Sequence, residues 1–124
     1  MSDETTATAT AAELAATYYA SWRARDFAAL RAILAEDVTF QGPLGTAEGA
    51  EACASGVEGM SRIVTDVVVR HVFADGDDAV TWFDLHTEVA PPCPTASWIH
   101  VADGRIATIQ ATFDPRPLLA PAAS

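Results

Sequence analysis

Residues Ala96–Phe113 read ASWIHVADGRIATIQATF. Two β-prone runs, Ala96–Val101 and Ile106–Phe113, flank the dipeptide Asp103-Gly104. Asp-Gly suits a tight hairpin turn, because both central residues there take positive φ. This predicts an antiparallel hairpin. Upstream, Ala79–Val89 reads as a strand and Asp75-Gly76-Asp77-Asp78 as a turn. Ile63–Phe73 is dominated by β-branched residues, which favour a pleated surface. Pro91-Pro92-Cys93-Pro94 reads as a loop, since proline cannot donate to a central ladder. The second half of the chain is therefore four long antiparallel strands.

The first half has helical spacing. Thr10 stands three residues before Glu13, the spacing of a capping box. Leu14, Tyr18 and Trp22 follow every fourth residue, with Ala15 and Tyr19 beside them, predicting a helix over 11–24. Asp26 can cap a second helix carrying Phe27, Leu30, Ile33 and Leu34 and ending near Ala35. Val38-Thr39-Phe40 is a short β-prone run stopped by Gly42-Pro43 and Gly45. Ala47–Met60 reads as a third helix despite Gly49, Gly56 and Gly59. Residues 1–10 and 120–124 read as tails, the first of them disordered, around one domain at 11–119. Three helices followed by four strands give an α+β fold, with the helices packed on a curved, mostly antiparallel sheet.

The 124 residues suffice for one core without disulfide staples. Of the apolar residues 26 are Ala, so the larger core side chains are fewer than the hydrophobic fraction suggests. A formal charge of −10, with all seven basic residues being Arg, disfavours nucleic acid and anionic membranes as partners. No apolar run approaches the ~20 residues of a membrane span. The beginning of the chain lacks the basic and apolar regions of a signal peptide. Two cysteines make no disulfide framework, and His71, His86, Asp84 and Glu88 lack tight metal-ligand spacing. The expected class is a cytoplasmic, acidic protein without metal or organic cofactor.

The element order resembles the nuclear-transport-factor-2-like superfamily, of cystatin-like fold. Its members include SnoaL-like polyketide cyclases, ketosteroid isomerases and limonene epoxide hydrolases. The resemblance rests on Asp26-Phe27, Leu34-Ala35-Glu36-Asp37-Val38, Gly42-Pro43-Leu44-Gly45, Asp103-Gly104-Arg105-Ile106 and Phe113-Asp114, and covers about 14–119. It implies a cone with a closed end and a homodimer through the outer sheet face. It also implies where catalytic groups would stand. The isomerase base falls on Gly42, its neutral acid on Ser97, and its phenol near Tyr18. The Asp of cyclases and epoxide hydrolases falls on Ala111, and Asp114 matches a different position. The carboxylates of three known chemistries are thus replaced.

Alternation along Ala79–Val89 gives two sets, Val80, Trp82, Asp84, His86, Glu88 and Thr81, Phe83, Leu85, Thr87, Val89. Composition sends Phe83 and Leu85 inward. The resemblance implies the opposite, with Trp82, Asp84 and His86 lining the cone. On that parity Asp84 orients His86 for acid–base work, with Tyr18 as a hydroxyl donor. Trp82, Tyr19, Phe40, Ser97, Ile99, Ile109, Ala111 and Phe113 would then contact a small, mainly apolar metabolite. The implied function is a cofactor-independent isomerase, cyclase or hydrolase. The alternative is a non-catalytic small-molecule-binding or dimeric interaction domain. If the parity is reversed, Asp84 and His86 face water or a partner and the acid–base pair is lost.

Overall fold

The computed structural model describes residues 10–119. The tails expected at 1–10 and 120–124 lie outside those residues, except for Thr10. In chain order the elements are helix α1 (Ala11–Ala24), helix α2 (Phe27–Ala32), strands β1 (Leu34–Gly42) and β2 (Gly45–Glu48), and helix α3 (Ala50–Met60). Strands β3 (Val64–Asp75), β4 (Asp78–Thr87), β5 (Cys93–Ala102) and β6 (Arg105–Thr112) and a short helix α4 (Arg116–Leu119) follow.

The predicted capping box forms. Thr10 N donates to Glu13 Oε1 at 2.9 Å, and Glu13 N donates to Thr10 Oγ1 at 3.1 Å. Such a cap is worth about 0.5–2 kcal/mol. Asp26 caps α2 through its Oδ1, which accepts from Ala29 N at 3.1 Å.

The six strands make one sheet in the order β2-β1-β6-β5-β4-β3. All pairings are antiparallel except β1 with β6. The Asp103-Gly104 turn takes φ of +54° and +76°, as the dipeptide requires. α1 packs across β3 and β4, and α3 packs against β1, so the core lies between the helices and the concave face.

Three expectations change. The second helix ends at Ala32, and Leu34-Ala35 belongs to β1, because Leu34 pairs with Ile106 and Ile106 N donates to Ile33 O at 2.9 Å. The third helix starts at Ala50 and not at Ala47, because residues 45–48 fold back on β1 as β2. Cys93 and Pro94 open β5 and are not loop residues. Pro94 is tolerated there because pairing with β6 begins only at Ala96.

Candidate functional site

A cavity of about 250 Å³ sits between α1, α3 and the concave sheet face. α1 contributes Tyr18, Tyr19 and Trp22, and α3 contributes Cys53, Gly56, Val57 and Met60, spaced to share one helix face. The sheet contributes Phe40, Phe83, Leu85, Thr95, Ser97, Ile109 and Ala111, and Phe113 follows the last strand. The β1–β2 turn, Gly42 to Ala47, forms one rim. Among the described residues no Asp, Glu, His, Lys or Arg lines this cavity.

The aromatic side chains hold one another in place. Tyr19 packs against Phe83 with ring centroids 4.9 Å apart, and Tyr18 meets Tyr19 edge-on at 4.9 Å. Burial pushes the phenols of both tyrosines well above their ordinary range, and their mutual proximity pushes Tyr18 further. Burial likewise raises the Cys53 thiol, whose Sγ lies 3.8 Å from Ala47 O and 3.9 Å from Val38 O. At neutral pH the wall is therefore uncharged.

Its polar groups are only partly matched. Ser97 and Thr81 stand beside the Tyr19 hydroxyl closely enough to moderate its rise. Yet Tyr19 Oη and Thr81 Oγ1 are buried without a partner in hydrogen-bonding geometry, as is Trp22 Nε1. Proximity without alignment is not a hydrogen bond.

The sequence-predicted residues divide clearly. Tyr18, Tyr19, Phe40, Ser97, Ile109, Ala111 and Phe113 line the cavity. Ile99 is fully buried in the core and is not part of the wall. Trp82, Asp84 and His86 lie on the opposite face of β4, because alternate residues Phe83 and Leu85 point into the cavity. This corrects the parity taken from the resemblance. The register explains it: Thr81 is the cross-strand partner of Ser97, and partners share a face. With Ser97 inward, Thr81, Phe83 and Leu85 must be inward too.

Asp84 is engaged elsewhere. Its Oδ2 accepts from Arg70 Nε and Nη2 at 2.6 Å. Arg70 is the extra residue of a β-bulge, since Val69 pairs with Phe83 and His71 with Trp82. Asp84 therefore does not orient His86. His71 pairs with Trp82 across the strands and so shares the outer face. On the same face Asp78 Oδ1 accepts from Trp98 Nε1 at 2.9 Å and lies 2.8 Å from His100 Nδ1. Among the described residues no cluster of three metal-ligating side chains occurs.

Sequence reasoning missed Trp22, Cys53, Val57, Met60, Phe83, Leu85 and Thr95 as wall residues. The apolar composition of the Phe83 and Leu85 set was the available signal. At Gly42 an added Cβ would stand 3.2 Å from Phe40 Cε1, so a side chain there requires that ring to move.

The SnoaL-like domain family model matches residues 15–109. No curated protein matches the sequence. An NTF2-like protein of unknown function from Cytophaga hutchinsonii is 28% identical, with a TM-score of 0.80 over 88% of this chain and 94% of that one. A Kribbella flavida protein is 31% identical, with a TM-score of 0.79 over 85% and 87%. An LEH-like epoxide hydrolase from M. tuberculosis, 21% identical with a TM-score of 0.72 over 84% and 82%, shares the fold.

Proposed function

The chain belongs to the SnoaL-like domain family, which includes isomerases, cyclases and hydrolases, and on that premise we propose that it binds a small, neutral, mainly apolar molecule in its cavity. The observation that carries this reading is an apolar cavity of about 250 Å³ whose wall, among the described residues, holds no ionisable acid or base of ordinary pKa. Benzene occupies a cavity of about 150 Å³, so this one suits a skeleton of about ten non-hydrogen atoms. A fused four-ring skeleton overfills it. Burial of the ligand's apolar surface supplies the driving force. At one hundred times its Kd such a ligand stabilises the fold by about 2.7 kcal/mol. A thermal-shift titration with p-cymene should therefore raise Tm by several degrees. No shift with p-cymene or other one-ring apolar compounds would sink the reading.

A second reading, a cofactor-independent isomerase, cyclase or hydrolase, is favoured by one observation. Tyr18 and Tyr19 are protonated phenols in the wall, able to donate to an oxygen that gains charge in a reaction. Loss of turnover in Tyr18→Phe for any substrate found would support it.

The outer sheet face fits a second copy of the chain. Phe73 is 65% exposed, Trp82 41% and Val80 39% on this face, while its Asp84 is paired with Arg70 and its Asp78 accepts a hydrogen bond from Trp98. A chain of charge −10 can meet itself most easily where its charges are paired. Trp82→Glu should convert a dimer to a monomer in sedimentation velocity; a monomeric parent would refute the dimer. A cytoplasmic location accords with two free, buried thiols, Cys53 and Cys93.

A further inference from the structure

The backbone does not require a glycine at position 42. Gly45, Gly49, Gly76 and Gly104 take positive φ, and Gly42 does not, so its φ admits any residue. What a side chain there would meet is Phe40. An added Cβ would stand 3.2 Å from Phe40 Cε1 and 3.3 Å from Phe40 Cζ, the far edge of the ring. Residues 40 and 42 stand two apart on β1 and share its concave face. The ring therefore leans along the strand toward the β1–β2 turn and takes the space that a side chain at 42 would need.

That space is at the edge of the cavity. Phe40 is only partly buried, as is Ala47, its partner on β2. Ile109, its partner on β6, and Val38, two residues back on β1, are fully buried. The ring thus stands between a sealed floor and the rim formed by Gly42 to Ala47. Displaced from Gly42, it tips back toward Val38 and over that floor. Removed, it vacates about one ring's worth of space, the size of void that accepts benzene.

We propose that Phe40 sets the length of ligand the cavity accepts: with its ring lying beside Gly42 it closes the rim end behind a one-ring ligand, and it keeps that place because residue 42 has no side chain. This deepens the reading of the cavity as a ligand site and rests on it.

A double-mutant cycle between Phe40→Leu and Gly42→Val tests the coupling, with p-cymene and the two-ring probe biphenyl measured by equilibrium dialysis. Leu keeps an apolar side chain and lacks Cε1 and Cζ. Gly42→Val should weaken p-cymene about tenfold in the parent and less than about twofold in Phe40→Leu, a coupling typical of residues in contact. The cycle also has a readout without ligand. Gly42→Val should lower Tm by about 5 °C in the parent through overpacking, and by about 1 °C in Phe40→Leu. Biphenyl should bind Phe40→Ala about tenfold tighter than the parent, and the milder Phe40→Leu about threefold tighter. Equal losses on Gly42→Val in both backgrounds, in affinity or in Tm, overturn the link between ring and glycine. Unchanged biphenyl affinity in both Phe40 variants overturns the length limit and, with p-cymene bound, leaves the pocket reading standing. Absence of binding by both probes to the parent and every variant overturns the pocket reading, and this proposal with it.

Discussion

Replacing Phe83 by Ala should cost far more than replacing Trp82 by Ala, although Trp82 is the larger side chain. Phe83 is 3% exposed, packs against Tyr19 with ring centroids 4.9 Å apart and forms part of the cavity wall. Trp82 is 41% exposed on the other face of the same strand. Truncating a buried Phe costs about 3–5 kcal/mol. The existing cavity lies beside Phe83, so removing the ring enlarges a void and the neighbours gain little by collapsing. The expected cost is therefore in the upper half of that range, about 4 kcal/mol, or roughly 15 °C in Tm for a domain of this size. Trp82→Ala should cost about 1 kcal/mol or less in the monomer, as surface changes do. Urea denaturation followed by far-ultraviolet circular dichroism gives both values from the midpoint and slope. Repeating it across protein concentrations separates folding from association. The Trp82→Ala loss should shrink on dilution if the outer face pairs with a second copy, and the Phe83→Ala loss should not. A larger loss in Trp82→Ala at every concentration would refute the parity of β4.

Three further outcomes follow from the same geometry. Thr81→Val should stabilise the protein by about 1 kcal/mol, because it replaces a fully buried hydroxyl that has no partner with a methyl group; a loss of stability in urea titration would mean the hydroxyl is satisfied. Gly56→Ala should stabilise by about 0.5–1 kcal/mol through helix propensity, since a Cβ there meets nothing within 4 Å, and calorimetric Tm reads the change. The tyrosines set an alkaline limit. Their folded pKa values lie above the unfolded value of about 10, so the unfolded chain ionises first. Stability should be whole below about pH 10 and fall as pH rises through that value, and the double variant Tyr18→Phe, Tyr19→Phe should lose most of that fall relative to its own stability at about pH 8.

What could be read directly from the sequence was local. Thr10 and Glu13 sit within one turn of each other, and Asp103-Gly104 carries its own backbone preference, so α1 and the last hairpin were legible. Leu34-Ala35 was not, because its strand state depends on parallel pairing with Ile106 some seventy residues later. A periodic helix pattern ran straight through it. The same holds for residues 45–48, whose strand state needs β1 beside them. The site was legible in part for a similar reason. Alternation divides Ala79–Val89 into two sets with certainty, yet it does not say which set faces the helices. The Asp84 and His86 set looked chemical because it carries charge, and that charge is instead held by Arg70 at a bulge. The apolar Phe83 and Leu85 set looked like a partner surface and is the cavity wall. Cross-strand register decides the matter: once Ser97 faces inward, its partner Thr81 does too, and the rest of β4 follows.

The most direct test of a ligand cavity on the concave face is a methyl NMR titration with p-cymene on protein labelled at Ile, Leu and Val. The methyl groups of Val57, Leu85 and Ile109, all in the wall, should shift saturably, while those of Val68 and Val80 on the outer face should stay in place. Saturable shifts at Val68 and Val80 with none at Leu85 and Ile109 would contradict the account.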